Sequence, residues 1–230
     1  MEDFVNIVQK ANSISEALHT RHSIREFQNQ AIPMEILEKV LSSSLRAPSW
    51  KNAQPWQVKV VSGQTKDLLS SRLVSAAQTS QPKPETEWLE NYPAKAKKRM
   101  FDLGMKVYGV AGIDRKDKAA RDEFMLNNFR FFGAPTCIII TTTFDLNFFV
   151  GIDIGCYVQS ILLLAREYGL GTCAQAAIGA FPDVVKGVLQ LPEEEKVIMG
   201  ISIGFPKDNS NLNQFHAPRE EFKDLIQMYS

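Results

Sequence analysis

Ala47-Pro48-Ser49-Trp50-Lys51-Asn52-Ala53-Gln54-Pro55-Trp56 lies between a segment with helical spacing and one with strand spacing. Pro48 and Pro55 exclude helix and restrict the residues ahead of them to extended backbone. Ser49, Asn52 and Gln54 are short or planar hydrogen-bonding side chains, and two indoles stand beside them. A rigid loop of that composition suits an aromatic ring edged by amide groups. A surface turn with two packing tryptophans reads the same residues equally well. A second segment upstream shifts the balance: Arg21-His22-Ser23-Ile24-Arg25 places two guanidiniums and a hydroxyl within five residues. Arginine makes two-point contacts with phosphate oxygens. Alone, so short a charged run is more often a solvated turn.

Outward from these two segments, hydrophobic spacing sets the elements. Asn12–Thr20 is a helix, with Ser13 and Glu16 at capping-box spacing. Pro33 opens a second, Met34–Leu45, with Ile36, Leu37, Val40, Leu41 and Leu45 on one face. Gln57–Val61 is a strand closed by Ser62-Gly63, and Thr65–Ala77 a helix with Leu68, Leu69, Leu73 and Ala76 inward. Thr79–Glu85, with Pro82 and Pro84, is a linker or exposed loop. A helix over Glu87–Tyr108 begins a polar, aromatic excursion across residues 87–132, too short to bury much by itself. Residues 1–230 are read as a single domain carrying it.

Thr136–Thr143 is a β-branched strand. Ile152–Tyr168 is a helix apolar almost all round, so it must be buried on most sides, in part by a second subunit, with Leu163 on its outward face. Gly169-Leu170-Gly171 ends it. A short helix, Asp183–Leu189, a strand, Val197–Ile203, a polar loop, Asp208–Asn213, and a terminal helix within Pro218–Met228 complete the chain. Few strands among many helices give α/β or α+β, and without a βαβ rhythm the strand directions stay open.

The chain has 230 residues, 44% hydrophobic and 23% charged, ordinary for a globular protein. A net charge of +0 and a pI near 6.8 argue against nucleic-acid or anionic-membrane binding. Met1-Glu2-Asp3-Phe4 lacks a signal core, and the runs Cys137–Ile140 and Ile161–Ala165 are too short to span a bilayer. Three widely spaced cysteines and three histidines imply a reducing cytoplasm with neither disulfide nor metal.

Several motifs fail on context. Gly169-Leu170-Gly171-Thr172-Cys173-Ala174 matches G-x-G-x-x-A by letter but follows a helix, where a dinucleotide fingerprint needs a strand. A Ser/His/Asp triad is not indicated, and nothing marks a base for Cys173. Glu193-Glu194-Glu195 reads as a solvated loop.

Taken in order, the segments resemble the nitroreductase family of FMN flavoproteins, in its nitrobenzoate-reductase-like branch. The resemblance rests on Arg21–Arg25, Ala47–Trp56, Phe131-Phe132-Gly133-Ala134-Pro135, Asp153-Ile154-Gly155, Gly169–Gln175 and Arg219. It covers nearly the whole chain. It implies an α+β fold, a mixed or antiparallel sheet flanked by helices, in an interlocked homodimer with FMN at the subunit interface. By the same resemblance Arg21, Ser23 and Arg25 grip the phosphate, Arg219 adds a cation, and His22 meets the flavin through its backbone. Pro48, Ser49, Trp50 and Asn52 come from the neighbouring subunit. Asn127, or in its place Asn128, and Arg130 face the pyrimidine edge. The backbone of Gln175 and Ala176 meets N5 and O4, and no protein side chain is assigned as catalytic. The chain departs from the family at His216, where another basic residue is often found, and at Trp50, where many relatives have a small residue. The implied activity is NAD(P)H-dependent reduction of planar acceptors, nitroaromatics and quinones, by alternating binding. Flavin or enone reduction, reductive dehalogenation and FMN binding without turnover are the alternatives.

Overall fold

The computed structural model describes residues 10–89 and 91–230. The acidic start Met1–Phe4 lies outside them, as does Glu90 within the expected 87–108 helix. Four strands form one antiparallel sheet in the order β1-β2-β4-β3: β1 Gln57–Ser62, β2 Thr136–Thr142, β3 Gly171–Gln175 and β4 Lys196–Gly204. With the helices around it, this is an α+β fold. β2 is buried at every position because strands flank it on both sides and helices cover both faces. Its side chains alternate. Cys137 and Ile139 join Leu69 and Leu73 of α3 (Gly63–Thr79) and Val185 of α7 (Pro182–Leu189). Ile138 and Ile140 join Leu37 and Val40 of α2 (Met34–Ser44) and the inner side of α6 (Phe148–Glu167).

Local chemistry sets the ends. In α1 (Ile14–Thr20) the Ser13 hydroxyl accepts from the Glu16 N–H at 3.1 Å, while the Glu16 carboxylate accepts from the Asn12 N–H at 2.7 Å, one residue earlier than in a capping box. α6 begins four residues before the sequence reading placed it, because Asn147 Oδ1 accepts from the N–H groups of Phe149 and Val150. At this full length α6 is, among the described residues, the one helix that by length and composition alone could cross a membrane, and 44% of that stretch is buried inside the protein. Its inner side, Ile154, Tyr157, Val158, Ile161, Leu162 and Ala165, packs on the sheet. Leu163, expected on the outward face, is partly buried and lines a cavity with the segment Lys10–Ala17. The exposed apolar side chains are Phe148, Phe149 and Ile152, near the helix start.

Three other regions differ from the expectation. Residues 171–175 form a strand with a single β-former, Thr172, because β4 supplies the ladder. The excursion is two helices, α4 (Ala94–Val110) after Pro93 and α5 (Lys118–Met125) capped by Asp117. Thr79–Glu85 is pinned to the core: the Lys83 N–H donates to the Ala180 carbonyl, and Glu85 pairs with Lys186 at 2.8 Å and accepts from the Val197 N–H. Two short helices follow, α8 (Asn211–Gln214) within the expected polar loop and α9 (Phe222–Leu225).

Candidate functional site

The chain leaves α1 in extended form, and the Ile24 N–H donates to the Thr172 carbonyl of β3 at 2.9 Å. Ile24 is buried in the core. Its close approach requires Gly171: a Cβ there would stand 2.5 Å from Ile24 Cγ1. Arg21, Ser23 and Arg25 line a cavity of about 250 Å³ with His22, His216 and Arg219.

One buried side chain fixes this segment. Asn213 Oδ1 accepts from the N–H groups of Arg25 (2.8 Å) and Glu26 (3.1 Å), and its Nδ2 donates to the carbonyls of Glu26 (2.7 Å) and Lys207 (3.3 Å). All four hydrogen-bonding positions of the amide are filled. The sequence reading passed over Asn213 as part of a polar loop, and no local pattern distinguishes it from other loop asparagines. His22 is held beside it, with Nδ1 2.8 Å from the Thr20 carbonyl and Nε2 2.5 Å from the Asn213 carbonyl. Its ring lies 4.0 Å from that of His216.

The cleft is electrostatically unbalanced. Among the described residues no carboxylate pairs with Arg21, Arg25 or Arg219. Burial, and then the Arg219 charge, lower the pKa of Arg21. Burial lowers both histidines; for His22 the two carbonyls oppose that shift, while the His216 and Arg166 charges add to it. An anion placed here relieves cation–cation repulsion and can accept charge-assisted hydrogen bonds from the guanidiniums that line the cleft.

Further along β3, Gln175 is buried. Its Nε2 donates to the Asn128 carbonyl at 2.6 Å, and the Ser202 hydroxyl of β4 donates to its Oε1 at 2.5 Å. Gln175 and Ala176 are thereby joined to the turn carrying Asn127 and Arg130. Arg130 donates to Asn127 Oδ1 at 3.2 Å and pairs with Glu123 at 2.8 Å. The Asn128 amide instead donates to the Met125 carbonyl. Arg21–Arg25, Gln175–Ala176 and Asn127–Arg130 therefore all hang on β3.

Pro48–Asn52 does not hang there. The Trp50 N–H donates to Asp153 Oδ1 on α6 at 3.0 Å, and the Gln54 N–H to Ser49 Oγ. The two tryptophans divide: Trp56 is buried and stacked on Tyr157, whereas Trp50 is 54% exposed and tilts against Phe149. Asp153, quoted in the resemblance without a role, proves to be the tether of this loop. Backbone strain marks both loops. Lys51, Asn52, Gln54, Phe131 and Phe132 have positive φ, while the other non-glycine cases are a helix cap at Gln190 and a turn at Asn209. Such conformations cost about 1–3 kcal/mol each and gather where a site over-determines them.

Two groups weighed from sequence lie elsewhere. Glu195 is not solvated: it is 3% exposed, pairs with Lys59 at 2.6 Å and accepts from the hydroxyl of Thr141, next to a sheet irregularity between Ile140 and Thr141. Cys173 is buried and its thiol is pushed up by desolvation, as is that of Cys137, to about 12. Neither is a nucleophile.

Comparison with known proteins gives concordant matches. The family model described as "Nitroreductase family" matches residues 18–205. A 4-nitrobenzoate reductase of Pseudomonas putida is 31% identical over 201 residues, covering 87% of this chain and 88% of its own. A 4-nitrobenzoate reductase of a Nocardioides species is 34% identical over 195 residues, covering 80% and 77%. Among solved structures, the FMN-dependent nitroreductase NfnB of Mycobacterium smegmatis in complex with NADPH superposes with a TM-score of 0.90 at 27% identity, covering 95% of this chain and 100% of that one.

Proposed function

This chain belongs to the nitroreductase family, and from that premise we propose that it is a homodimeric FMN-dependent oxidoreductase that uses NAD(P)H to reduce nitroaromatic compounds and quinones. One observation carries the proposal: Arg21, Arg25 and Arg219 gather at one cleft without a carboxylate among the described residues. That donor set fits the phosphate of FMN. FMN, when bound, supplies the two-electron hydride chemistry between nicotinamide and acceptor.

The protein's part is placement and electrostatics. Arg21, Ser23, Arg25 and Arg219 hold the phosphate, and His22 lies against the cofactor through its backbone. The backbone of Gln175 and Ala176 meets the reactive edge of the ring. Asn127 and Arg130 stand at the pyrimidine edge, where a cation favours negative charge. The Arg130–Glu123 pair is solvent-exposed and weak, so it yields readily to a ligand.

The dimer is supported by the exposed apolar face at the start of α6. Phe148, Phe149 and Ile152 stand beside Trp50, on the loop that lacks contact with the rest of the site. A second copy seated there would bring Pro48, Ser49, Trp50 and Asn52 to its own flavin. Residues 1–230 form one domain in this reading, with the excursion at 87–132 on the acceptor side. The cytoplasm is the proposed compartment, on the strength of three free thiols.

Purified protein should be yellow with stoichiometric FMN, and the colour should bleach under nitrogen on addition of NADH or NADPH. It should return with 4-nitrobenzoate or a benzoquinone. Bound FMN that neither nicotinamide reduces overturns the enzyme reading. A protein that does not take up FMN overturns the cofactor as well.

A further inference from the structure

We propose that the Gln175 side chain is a positioning residue, anchored by Ser202, that sets the distance between the two groups of flavin contacts: the backbone at 175–176 and the pyrimidine-edge pair Asn127 and Arg130. The inference rests on the FMN reading above.

The geometry is specific. Ser202 is fully buried on β4, and its hydroxyl donates to Gln175 Oε1 at 2.5 Å. The Gln175 amide nitrogen then faces the Asn128 carbonyl at 2.6 Å. The reverse orientation would set two carbonyl oxygens against each other, so the network admits one arrangement. Among the described residues this is the one side-chain hydrogen bond joining the 127–130 turn to the sheet. The turn needs such a tether, because it runs directly into Phe131 and Phe132, both left-handed. Gln175 belongs by its backbone to one group of contacts and grips the other by its side chain.

A purely structural glutamine would affect folding alone. A positioning one must alter how the two redox states of the flavin are held, because Arg130 acts on the charge that reduction places at the pyrimidine edge. Gln175→Met preserves approximate bulk and removes both hydrogen bonds. Ser202→Ala removes only the anchor.

The test measures FMN affinity by recovery of flavin fluorescence, the midpoint potential by anaerobic titration, and the flavin absorption spectrum. Gln175→Met should bind FMN at least tenfold more weakly. Its potential should fall by about 30 mV, the equivalent of a tenfold loss in preference for the reduced state in a two-electron couple. Ser202→Ala should move both quantities the same way by less. A folded Gln175→Met protein with wild-type affinity, potential and spectrum overturns the proposal, whatever its melting temperature. If that variant does not fold, Ser202→Ala decides, and wild-type potential and affinity there overturn it equally. A wild-type protein that binds no FMN removes the parent reading and this inference together, an outcome distinct from a variant that behaves as wild type.

Discussion

The Arg21–Arg25 segment is held from within: a backbone hydrogen bond to β3, a buried Ile24 and the four hydrogen bonds of a buried Asn213. Among the described residues the Pro48–Asn52 loop has one hydrogen bond to another element, to the Asp153 carboxylate, and one ring contact, Trp50 on Phe149, with positive φ at Lys51 and Asn52 and an indole half in water. One subunit completes the first region and leaves the second strained and exposed beside bare phenylalanines. The difference teaches which part of the candidate site a single chain finishes and which part is left for the second copy that the proposed dimer would supply.

The sharpest break of that contrast is Ile152→Asp. A charge buried without a partner costs roughly 3–5 kcal/mol. The variant should sediment as a monomer and lose FMN, while its far-ultraviolet dichroism stays native. A dimer of undiminished affinity would show that the α6 face is not the interface.

Asn213→Ala attacks the other region. It strands the N–H groups of Arg25 and Glu26 and the Glu26 carbonyl, at about 1–3 kcal/mol per buried group left unmet. The urea midpoint should fall by the equivalent of roughly 3 kcal/mol. A midpoint near wild type would mean that water replaces the amide and that the segment is less fixed than it looks.

Arg21→Ala separates holding a ligand from holding the fold. A charge-assisted hydrogen bond left unmade weakens FMN by roughly 1.5–3 kcal/mol. The apo protein should lose no stability, since repulsion from Arg219 is relieved. Equilibrium dialysis against FMN and a melting curve of the apo protein check the two halves. Undiminished FMN occupancy removes Arg21 from the phosphate site.

The smallest effect is that of pH. Both cleft histidines are lowered from 6.5 by burial, so the folded state resists protons that the unfolded chain accepts. Stability is therefore fully present above about 6.5 and declines as pH falls below it. A bound phosphate favours the charged rings and should flatten the decline. Urea titrations from pH 7.5 to pH 5.5, with and without FMN, test the sign. Apo stability that rises on acidification through that range contradicts it.

The motifs of the candidate site were legible because each is local. Arg21–Arg25, Ala47–Trp56 and Gly169–Gln175 are short runs whose composition states a chemistry. Most of the helices and three of the four strands were legible because hydrophobic spacing is periodic, whereas the short polar helices α5 and α8 offered no such period. β3 was not, since Gly171, Cys173 and Ala174 carry little β-propensity, Thr172 stands alone among them, and the segment becomes a strand only when β4 supplies its ladder. Glu195 was misread for a related cause: a run of glutamates looks solvated until Lys59 and Thr141 arrive from distant strands.

The sequence by itself determined which residue types are present that are suited to gripping a phosphate and edging a flat ring, in which order, and around how apolar a helix. Only the tertiary structure decided that Asn213, Ser202 and Asp153 are the parts that hold them. Their roles are made by hydrogen bonds across 188, 27 and 103 residues of chain, and no local spacing encodes such a contact. Side-chain chemistry is written one residue at a time, whereas the satisfaction of a buried amide or carboxylate depends on the groups that folding brings to it.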